Sequence, residues 1–255
     1  MHDAVLFDAR ADGIAIITLN RPDTRNALCK QMREGLFAAW DRFERDAALR
    51  VAILTGAGDN AFCAGGDLKE MTETGLTVPP RDMMPVPGDN IALTKPTIAA
   101  VNGVAFAGGW MIAQACDLCV ASTSARFAIT EVKVGRSSPW AAPLIHMIPQ
   151  RVMMEIVLTG RPISAQRAHE IGLVNRLAAP ERLMDAALEL AAEILEGAPL
   201  SVQAARDMVM LSTEMGRSAA LQAARRASER AYRSEDAQEG PRAFAEKRRP
   251  AWKGR

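Results

Sequence analysis

The spacing of apolar residues in the first fifty positions predicts two strands followed by a helix. Residues 5–7 and 14–19 are short apolar runs, and Asp12-Gly13 between them is a hairpin turn signal. Apolar side chains then recur every three or four residues, on one face of a helix: Met32, Leu36, Trp40 and Phe43. The chain therefore opens with a strand–strand–helix unit.

The same order of elements continues up to Pro139. Residues 61–71 and the pair Gly108-Gly109 each begin a helix after a strand-like run. Further strands are predicted at residues 51–54, 97–107, 118–121 and 127–129. Pairs of strands followed by helices predict an α/β fold of repeated ββα units.

The remainder of the chain is predicted to be mostly helical. Helical patterns cover residues 141–158, 164–171, 180–196, 200–215, 217–233 and 235–247. Pro199 marks a boundary, so we assign residues 1–198 to a ββα core and residues 199–255 to a helical region. Residues 74–95 hold four prolines and no clean period, which predicts an irregular or mobile loop able to cover a site.

Composition and charge narrow the class of protein. A net charge of +1 gives no sign of a nucleic-acid binder, and no apolar run approaches the roughly 20 residues of a membrane span. The first ten residues lack the apolar stretch of a secretory signal, so we predict a cytoplasmic location. Cys116 and Cys119 form one CxxC pair without a histidine cluster, which favours buried packing residues over metal ligands.

Two glycine-containing segments carry the candidate chemistry. Residues 61–71 and 99–109 each end a strand-like run in small residues and lead into a helix. Small residues let a ligand approach the backbone, and a helix start leaves N–H groups unpaired. Two such groups that converge on one oxygen form an oxyanion hole, whereas each segment taken alone is more often a tight packing turn. Gly103 and Gly108 lack the Lys and Ser/Thr of a P-loop.

These segments, and nearly the whole chain, resemble the crotonase (enoyl-CoA hydratase/isomerase) superfamily. Five motifs in the family's order carry the resemblance: residues 17–22 with Asn26-Ala27-Leu28, residues 64–69, residues 95–109, residues 170–175 and residues 244–250. The resemblance implies a spiral of ββα units with a helical C-terminal trimerisation region. It also implies homotrimers, often stacked as hexamers, an acyl-CoA thioester substrate, and no cofactor beyond the CoA that the substrate carries.

The resemblance also implies roles for individual residues. The backbone N–H groups of Gly66 and Gly108 are the expected oxyanion donors. Eight residues are assigned to substrate binding: Arg25, Ala64, Asp67, Leu68, Met111, Trp140, Phe244 and Lys247. Among them, Ala64 and Leu68 are expected along the CoA path and Arg25 at the CoA phosphates. Phe244 and Lys247 are expected to reach a CoA on a neighbouring subunit, and Trp140 to line the acyl end of the pocket.

The acid–base residues differ from the hydratase pattern. Family hydratases carry two glutamates, and the positions that match them here are Met111 and Glu131. In family hydratases two carboxylates together position the water and deliver a proton to carbon, whereas one carboxylate suffices to move a proton between two carbons. The sequence therefore favours isomerisation slightly over hydration, with Glu131 as the acid/base. Glu73, at the edge of the irregular loop, is a candidate substitute for the missing carboxylate.

Other functions remain open at this level. The same scaffold supports CoA-ester decarboxylation, hydrolysis or dehalogenation. A protein of another class would bind CoA with little catalysis, or bind RNA through Arg225, Arg226 and Arg230, although Glu229 interrupts that cluster.

Overall fold

The computed structural model describes residues 3–255, in which pairs of strands alternate with helices. The strands are β1 (Val5–Ala9), β2 (Ile14–Leu19), β3 (Val51–Gly56), β4 (Ala61–Cys63), β5 (Thr97–Val101), β6 (Val104–Phe106), β7 (Leu118–Ser122), β8 (Arg126–Ala128), β9 (Ile163–Ser164) and β10 (Arg176–Ala178). The helices are α1 (Lys30–Arg45), α2 (Leu68–Thr74), α3 (Gly108–Gln114), α4 (Gln150–Thr159), α5 (Ala165–Glu170), α6 (Leu183–Leu195), α7 (Pro199–Glu214), α8 (Arg217–Tyr232) and α9 (Asp236–Ala245).

The two strands of most pairs belong to different sheets. A six-stranded sheet has the order β1-β2-β3-β5-β7-β10, and a four-stranded sheet has the order β4-β6-β8-β9. Strands β2, β3, β5 and β7 are parallel neighbours, and so are β4, β6 and β8. Parallel neighbours need a crossover connection, which the intervening strand and helix supply. This arrangement confirms the predicted α/β fold of repeated ββα units.

Helix α1 buries the face that its sequence pattern predicts. Met32, Leu36, Trp40 and Phe43 are all at most 1% exposed and belong to the main hydrophobic core. The rings of Trp40 and Phe43 meet edge to face with centroids 6.4 Å apart. Burial of each such side chain contributes roughly 1.5–3 kcal/mol, so this helix is a principal source of core stability.

The strand predicted over residues 97–107 is two strands, β5 and β6. The chain leaves the larger sheet for the smaller one at Asn102 and Gly103. A Cβ on Gly103 would lie 2.4 Å from the Asn60 carbonyl oxygen, so only glycine fits this crossing. An apolar run does not reveal such a change of sheet, because both halves remain buried.

The helix predicted over residues 141–158 is also interrupted. A 3-10 stretch, Pro139–His146, precedes α4. Pro143 and Pro149 lack the N–H that an α-helix interior needs, and they divide the segment. The loop of residues 74–95 is irregular as predicted, apart from the end of α2.

The chain forms two compact units. The first comprises the chain up to Leu93 and Thr97–Ala191, and the second comprises Thr94–Pro96 and Ala192–Arg255. This division falls within α6, whereas the domain boundary predicted from the sequence lies between residues 198 and 199. The assignment of an oligomerisation role to residues 199–255 stays a prediction.

The second unit has a small core and many exposed apolar side chains. Leu200, Ala204 and Ala231 form its buried cluster. The large apolar side chains that remain exposed are Met208, Val209, Met210, Met215, Leu221, Tyr232 and Phe244. Among residues 3–255, no helix combines the length and the apolar character required to cross a membrane.

Candidate active site

Two loops meet at one edge of the smaller sheet. Strands β4 and β6 are parallel neighbours, so their carboxyl ends lie side by side, and each leads through a short loop into a helix. A Cβ built on Gly108 would lie 3.6 Å from the backbone nitrogen of Gly66. The structure therefore brings together the two glycines that the sequence singled out.

The N–H groups of Gly66 and Gly108 are available to a ligand. Within residues 3–255, neither group donates a hydrogen bond to a protein acceptor. Gly108 is the first residue of α3, where a helix leaves its N–H groups unsatisfied. Two unpaired donors in adjacent loops are the elements of an oxyanion hole.

Ala107 sets the direction of the peptide group that carries the Gly108 N–H. Its φ is 49° and its ψ is −120°, a conformation that non-glycine residues rarely adopt. Its N–H donates to the Ala128 carbonyl at 2.8 Å, and its own carbonyl accepts from the Met111 N–H at 3.1 Å. Such strain costs on the order of 1–3 kcal/mol and persists only when the surroundings impose it. The sequence did not indicate this role, because alanine carries no signature of positive φ.

Gly65 lets the two loops approach each other. Its φ is 100°, and a Cβ there would lie 2.9 Å from both the Phe106 carbonyl oxygen and the Ala107 Cβ. A side chain at Gly65 would therefore push the loops apart.

The segment of residues 25–28 holds the first glycine loop in place. The Leu28 N–H donates to the Gly65 carbonyl at 2.8 Å, and the Ala64 N–H donates to the Arg25 carbonyl at 2.9 Å. Asn26 is completely buried, and its amide group donates to the carbonyls of Ala57 and Ala61. Asn26 therefore acts as a brace, while the exposed Arg25 side chain remains accessible for the predicted phosphate contact.

Asp67 begins helix α2. Its carboxylate accepts from the N–H groups of Lys69 and Glu70 and pairs with the Arg21 guanidinium at 3.3 Å. Burial acts to raise the pKa of Asp67, but the Arg21 hydrogen bond, the helix N–H groups and the Arg21 charge together lower it. The Asp67 carboxylate is thus already hydrogen-bonded to groups of the protein, and its contact with substrate stays a prediction. Leu68 beside it is 64% exposed, as a residue along a ligand path would be.

Glu131 follows strand β8 and begins a 3-10 turn, Glu131–Val134. Its Oε1 accepts a hydrogen bond of 3.0 Å from the Trp140 indole nitrogen. Its Oε2 is buried without a hydrogen-bond partner among the described residues. Burial raises the pKa of Glu131 above its usual value, and the nearby backbone N–H groups of Glu131 and Thr130, together with the Trp140 hydrogen bond, offset part of that rise. A desolvated carboxyl group with one free oxygen is suited to proton transfer.

Met111 lies on α3, one helical turn after Gly108. It is 6% exposed and belongs to the main hydrophobic core. At this position the structure provides an apolar wall rather than a second carboxylate. Glu73, the candidate substitute, is exposed on α2.

Three of the predicted residues have positions that the sequence did not specify. Trp140, predicted to line the pocket, is half-buried and hydrogen-bonded to Glu131. Phe244, in the second compact unit, is 87% exposed, and Lys247 in the same unit is also exposed. The predicted contact of these two residues with a neighbouring subunit's CoA stays a prediction.

The CxxC pair is a packing feature. Cys116 and Cys119 are buried and form no disulfide, and burial raises the pKa of the Cys119 thiol to about 12. Among residues 3–255, no group of three or more His, Cys, Asp or Glu side chains is arranged to hold a metal ion.

Comparison with known proteins identifies the family. The family model for enoyl-CoA hydratase/isomerase matches residues 9–255. The chain is 40% identical to (E)-benzylidenesuccinyl-CoA hydratase of Thauera aromatica over 94% of its own length and 96% of that protein. It is also 40% identical to a carnitinyl-CoA dehydratase of Salmonella paratyphi A, with 94% of each chain covered.

Solved structures agree with this relationship. The crystal structure of an enoyl-CoA hydratase from Mycobacterium tuberculosis H37Rv matches all of both chains with a TM-score of 0.92 and 41% identity. An enoyl-CoA hydratase from Mycobacterium marinum matches equally completely, with a TM-score of 0.91 and 40% identity. The crotonase-type fold predicted from the five motifs is thereby confirmed. The chain is therefore an enzyme of the enoyl-CoA hydratase/isomerase family, within the crotonase superfamily, and acts on CoA thioesters.

Proposed function

We propose that the enzyme moves a proton on an enoyl-CoA through an enolate, with Glu131 as its acid/base, and that double-bond isomerisation is slightly favoured over hydration. The observation that carries this proposal is the state of Glu131. One carboxyl oxygen accepts from Trp140, and the other is buried with no hydrogen-bond partner in residues 3–255, while Met111 stands at the position of a second carboxylate. The N–H groups of Gly66 and Gly108 supply the complementary oxyanion site.

In this mechanism the thioester carbonyl oxygen accepts hydrogen bonds from the two glycine N–H groups. The Glu131 carboxylate removes a proton from a substrate carbon, and the electron pair is delocalised onto the thioester oxygen as an enolate. The protonated Glu131 then returns its proton to another carbon of the same chain, so the double bond moves and no atom is gained or lost. The burial of Glu131 favours this exchange because it raises the proton affinity of the carboxylate.

Hydration is the second candidate. Two relatives at 40% identity are named as a hydratase and a dehydratase, which favours addition or removal of water by this enzyme too. Glu131 would then take a proton from the water as the water oxygen bonds to the β-carbon, and it would return that proton to the α-carbon of the enolate held in the same oxyanion site.

A panel of acyl-CoA substrates analysed by mass and retention time tests both candidates. Isomerisation produces a new retention time without a change of mass, and hydration adds one water. Loss of carbon dioxide, of halide or of free CoA would indicate decarboxylation, dehalogenation or hydrolysis and would contradict the proposal.

The remaining substrate contacts are proposed on the basis of the family. Ala64 and Leu68 border the CoA path, Arg25 pairs with its phosphates, and Phe244 and Lys247 contact a CoA held by a neighbouring subunit. No cofactor is proposed beyond the CoA of the substrate. A cytoplasmic location is proposed as well, and the four cysteines, which form no disulfide, are compatible with a compartment that keeps thiols reduced.

We expect Met111→Glu to raise the ratio of hydration to isomerisation, because it restores the second carboxylate at similar side-chain size. The buried charge should cost on the order of 3 kcal/mol in the free energy of unfolding. Both products are measured from one enoyl-CoA. Met111→Gln is the matched control, since it adds a polar group without a base. An unchanged product ratio in a folded Met111→Glu enzyme would show that this position does not select the reaction.

We expect the protein to be a homotrimer or hexamer in solution. The second unit exposes more large apolar side chains than its small core covers, among them Met208, Met210 and Leu221. Apolar surface of this extent is typically buried by association. Light scattering measures the mass directly, and a stable monomer at micromolar concentration would contradict the assignment of residues 199–255 to oligomerisation.

A further inference from the structure

Trp140 contacts the carboxyl group that the proposed mechanism uses. Its indole Nε1 lies 3.0 Å from Glu131 Oε1. An indole N–H can donate a hydrogen bond but cannot accept one. The carbonyl oxygen of a protonated carboxyl group is a better acceptor than its hydroxyl oxygen, so this contact favours Oε1 as the acceptor and a proton on Oε2.

The free oxygen has the properties that proton transfer requires. Glu131 Oε2 is buried and has no hydrogen-bond partner within the described part of the chain. A carboxyl group without the indole contact would exchange its two oxygens by rotation, and only one orientation would face the substrate carbon. The indole contact removes that rotational freedom before substrate binds, which is the benefit of pre-organisation.

Trp140 is itself held in place from helix α3. Its backbone carbonyl accepts a hydrogen bond of 3.3 Å from the Gln114 side-chain amide, and its ring packs against the main core. Helix α3 begins at Gly108 and ends at Gln114. One helix thus connects an oxyanion donor at its start with the residue that holds Trp140 at its end.

We infer that Trp140 is a positioning residue, which fixes Glu131 so that Oε2 alone exchanges protons with the substrate. This inference rests on the proposed function of Glu131 and adds a role that neither the family resemblance nor the sequence pattern assigned. The expectation that Trp140 lines the acyl end of the pocket stays a prediction.

The hydrogen bond from Trp140 to Glu131 should be detectable in the pH dependence of the reaction rate. Burial raises the pKa of Glu131, and the Trp140 hydrogen bond lowers it. No charged side chain of the described residues contributes to this shift. Of the neighbouring cations, Arg136 donates to the Leu76 carbonyl at 2.7 Å, and Lys133 is exposed. Removal of the indole N–H should therefore raise the pKa of Glu131 further.

The test is Trp140→Phe, which keeps an aromatic ring and removes the N–H. We expect kcat to fall roughly 10- to 100-fold with KM little changed, because orientation is lost and binding is not. The carboxylate is the form that removes a proton, so its raised pKa should move the acidic limb of the rate profile to higher pH. Trp252→Phe is the matched control. It also loses an indole hydrogen bond, of 2.7 Å to the Glu196 carbonyl, within the second compact unit, and it should leave kcat and the pH profile unchanged.

A second replacement protects the test against misfolding. Benzothienylalanine at position 140 has the size and shape of tryptophan but carries sulfur in place of the N–H. It should reproduce the fall in kcat and the shift of the acidic limb. Infrared spectroscopy gives a readout without turnover, since the band of the protonated Glu131 carboxyl, assigned by its absence in Glu131→Gln, should titrate at higher pH in both Trp140 variants.

The outcomes separate this inference from the proposed function. Full activity of Glu131→Gln would overturn the proposed function itself. If Glu131→Gln is inactive while both Trp140 replacements keep the wild-type kcat and infrared titration, only the positioning role is overturned. A rise in KM at constant kcat would also overturn it, because Trp140 would then act as a wall of the substrate pocket.

Discussion

Glu131→Gln should abolish turnover while CoA-ester binding is retained. The amide keeps the shape of the side chain and can accept a hydrogen bond from Trp140, but it cannot remove a proton from carbon. Acid–base groups contribute roughly 10²–10⁴-fold to the rate. With Met111 in place of the second carboxylate, we expect a loss of kcat at or above the upper end of this range. Turnover is measured with the enoyl-CoA selected from the panel, and binding by calorimetry.

Glu73→Gln is the matched control for this prediction. Glu73 is exposed on α2 and is the candidate substitute carboxylate that the sequence suggested. An unchanged rate in Glu73→Gln, together with a large loss in Glu131→Gln, assigns the proton transfer to Glu131. The one-carboxylate mechanism would be wrong if Glu131→Gln retained the wild-type rate, or if Glu73→Gln lost as much activity as Glu131→Gln.

Gly108→Pro should lower kcat by about 10²–10³-fold, because proline removes one of the two proposed oxyanion donors. The loss of one such donor costs on the order of 3–4 kcal/mol in transition-state stabilisation. Gly108 is the first residue of α3, a position where helices accept proline. The preceding Ala107, at φ 49° and ψ −120°, is less compatible with a following proline, so the melting temperature of the variant is measured with its rate.

Gly108→Ala is the control that distinguishes loss of the N–H group from the steric effect of an added side chain. A Cβ at this position lies 2.9 Å from Leu28 Cδ1, the end of a flexible side chain that can shift. Alanine and proline share this Cβ, but alanine keeps the N–H. Equal rates in folded Pro and Ala variants would place the oxyanion hole elsewhere.

The family and the order of most elements up to Pro139 were determined by the sequence alone. Short apolar runs predicted the strands, and apolar residues at every third or fourth position predicted helix α1, because burial on one face of a helix forces that spacing. Five motifs in order identified the crotonase superfamily, and the comparisons confirmed it. The glycine pairs also indicated the loops of the site, since a close backbone approach needs residues without a side chain.

The interruption of the predicted strand over residues 97–107 is caused by a contact with a distant segment of the chain. Gly103 interrupts an apolar run because the chain changes sheet where Asn60 approaches it. Nothing in the local pattern of residues 97–107 contains that information.

The details of the site also came from tertiary structure. The strained Ala107, the brace formed by Asn26, and the indole of Trp140 on Glu131 are side-chain or backbone orientations rather than spacings. Glu131 and Trp140 are nine positions apart across a 3-10 turn and an irregular segment, which have no fixed period that would place their side chains together. The sequence by itself therefore predicted the groups that are proposed to carry the chemistry, whereas the packing of the chain determined which oxygen of Glu131 has no hydrogen-bond partner among the described residues.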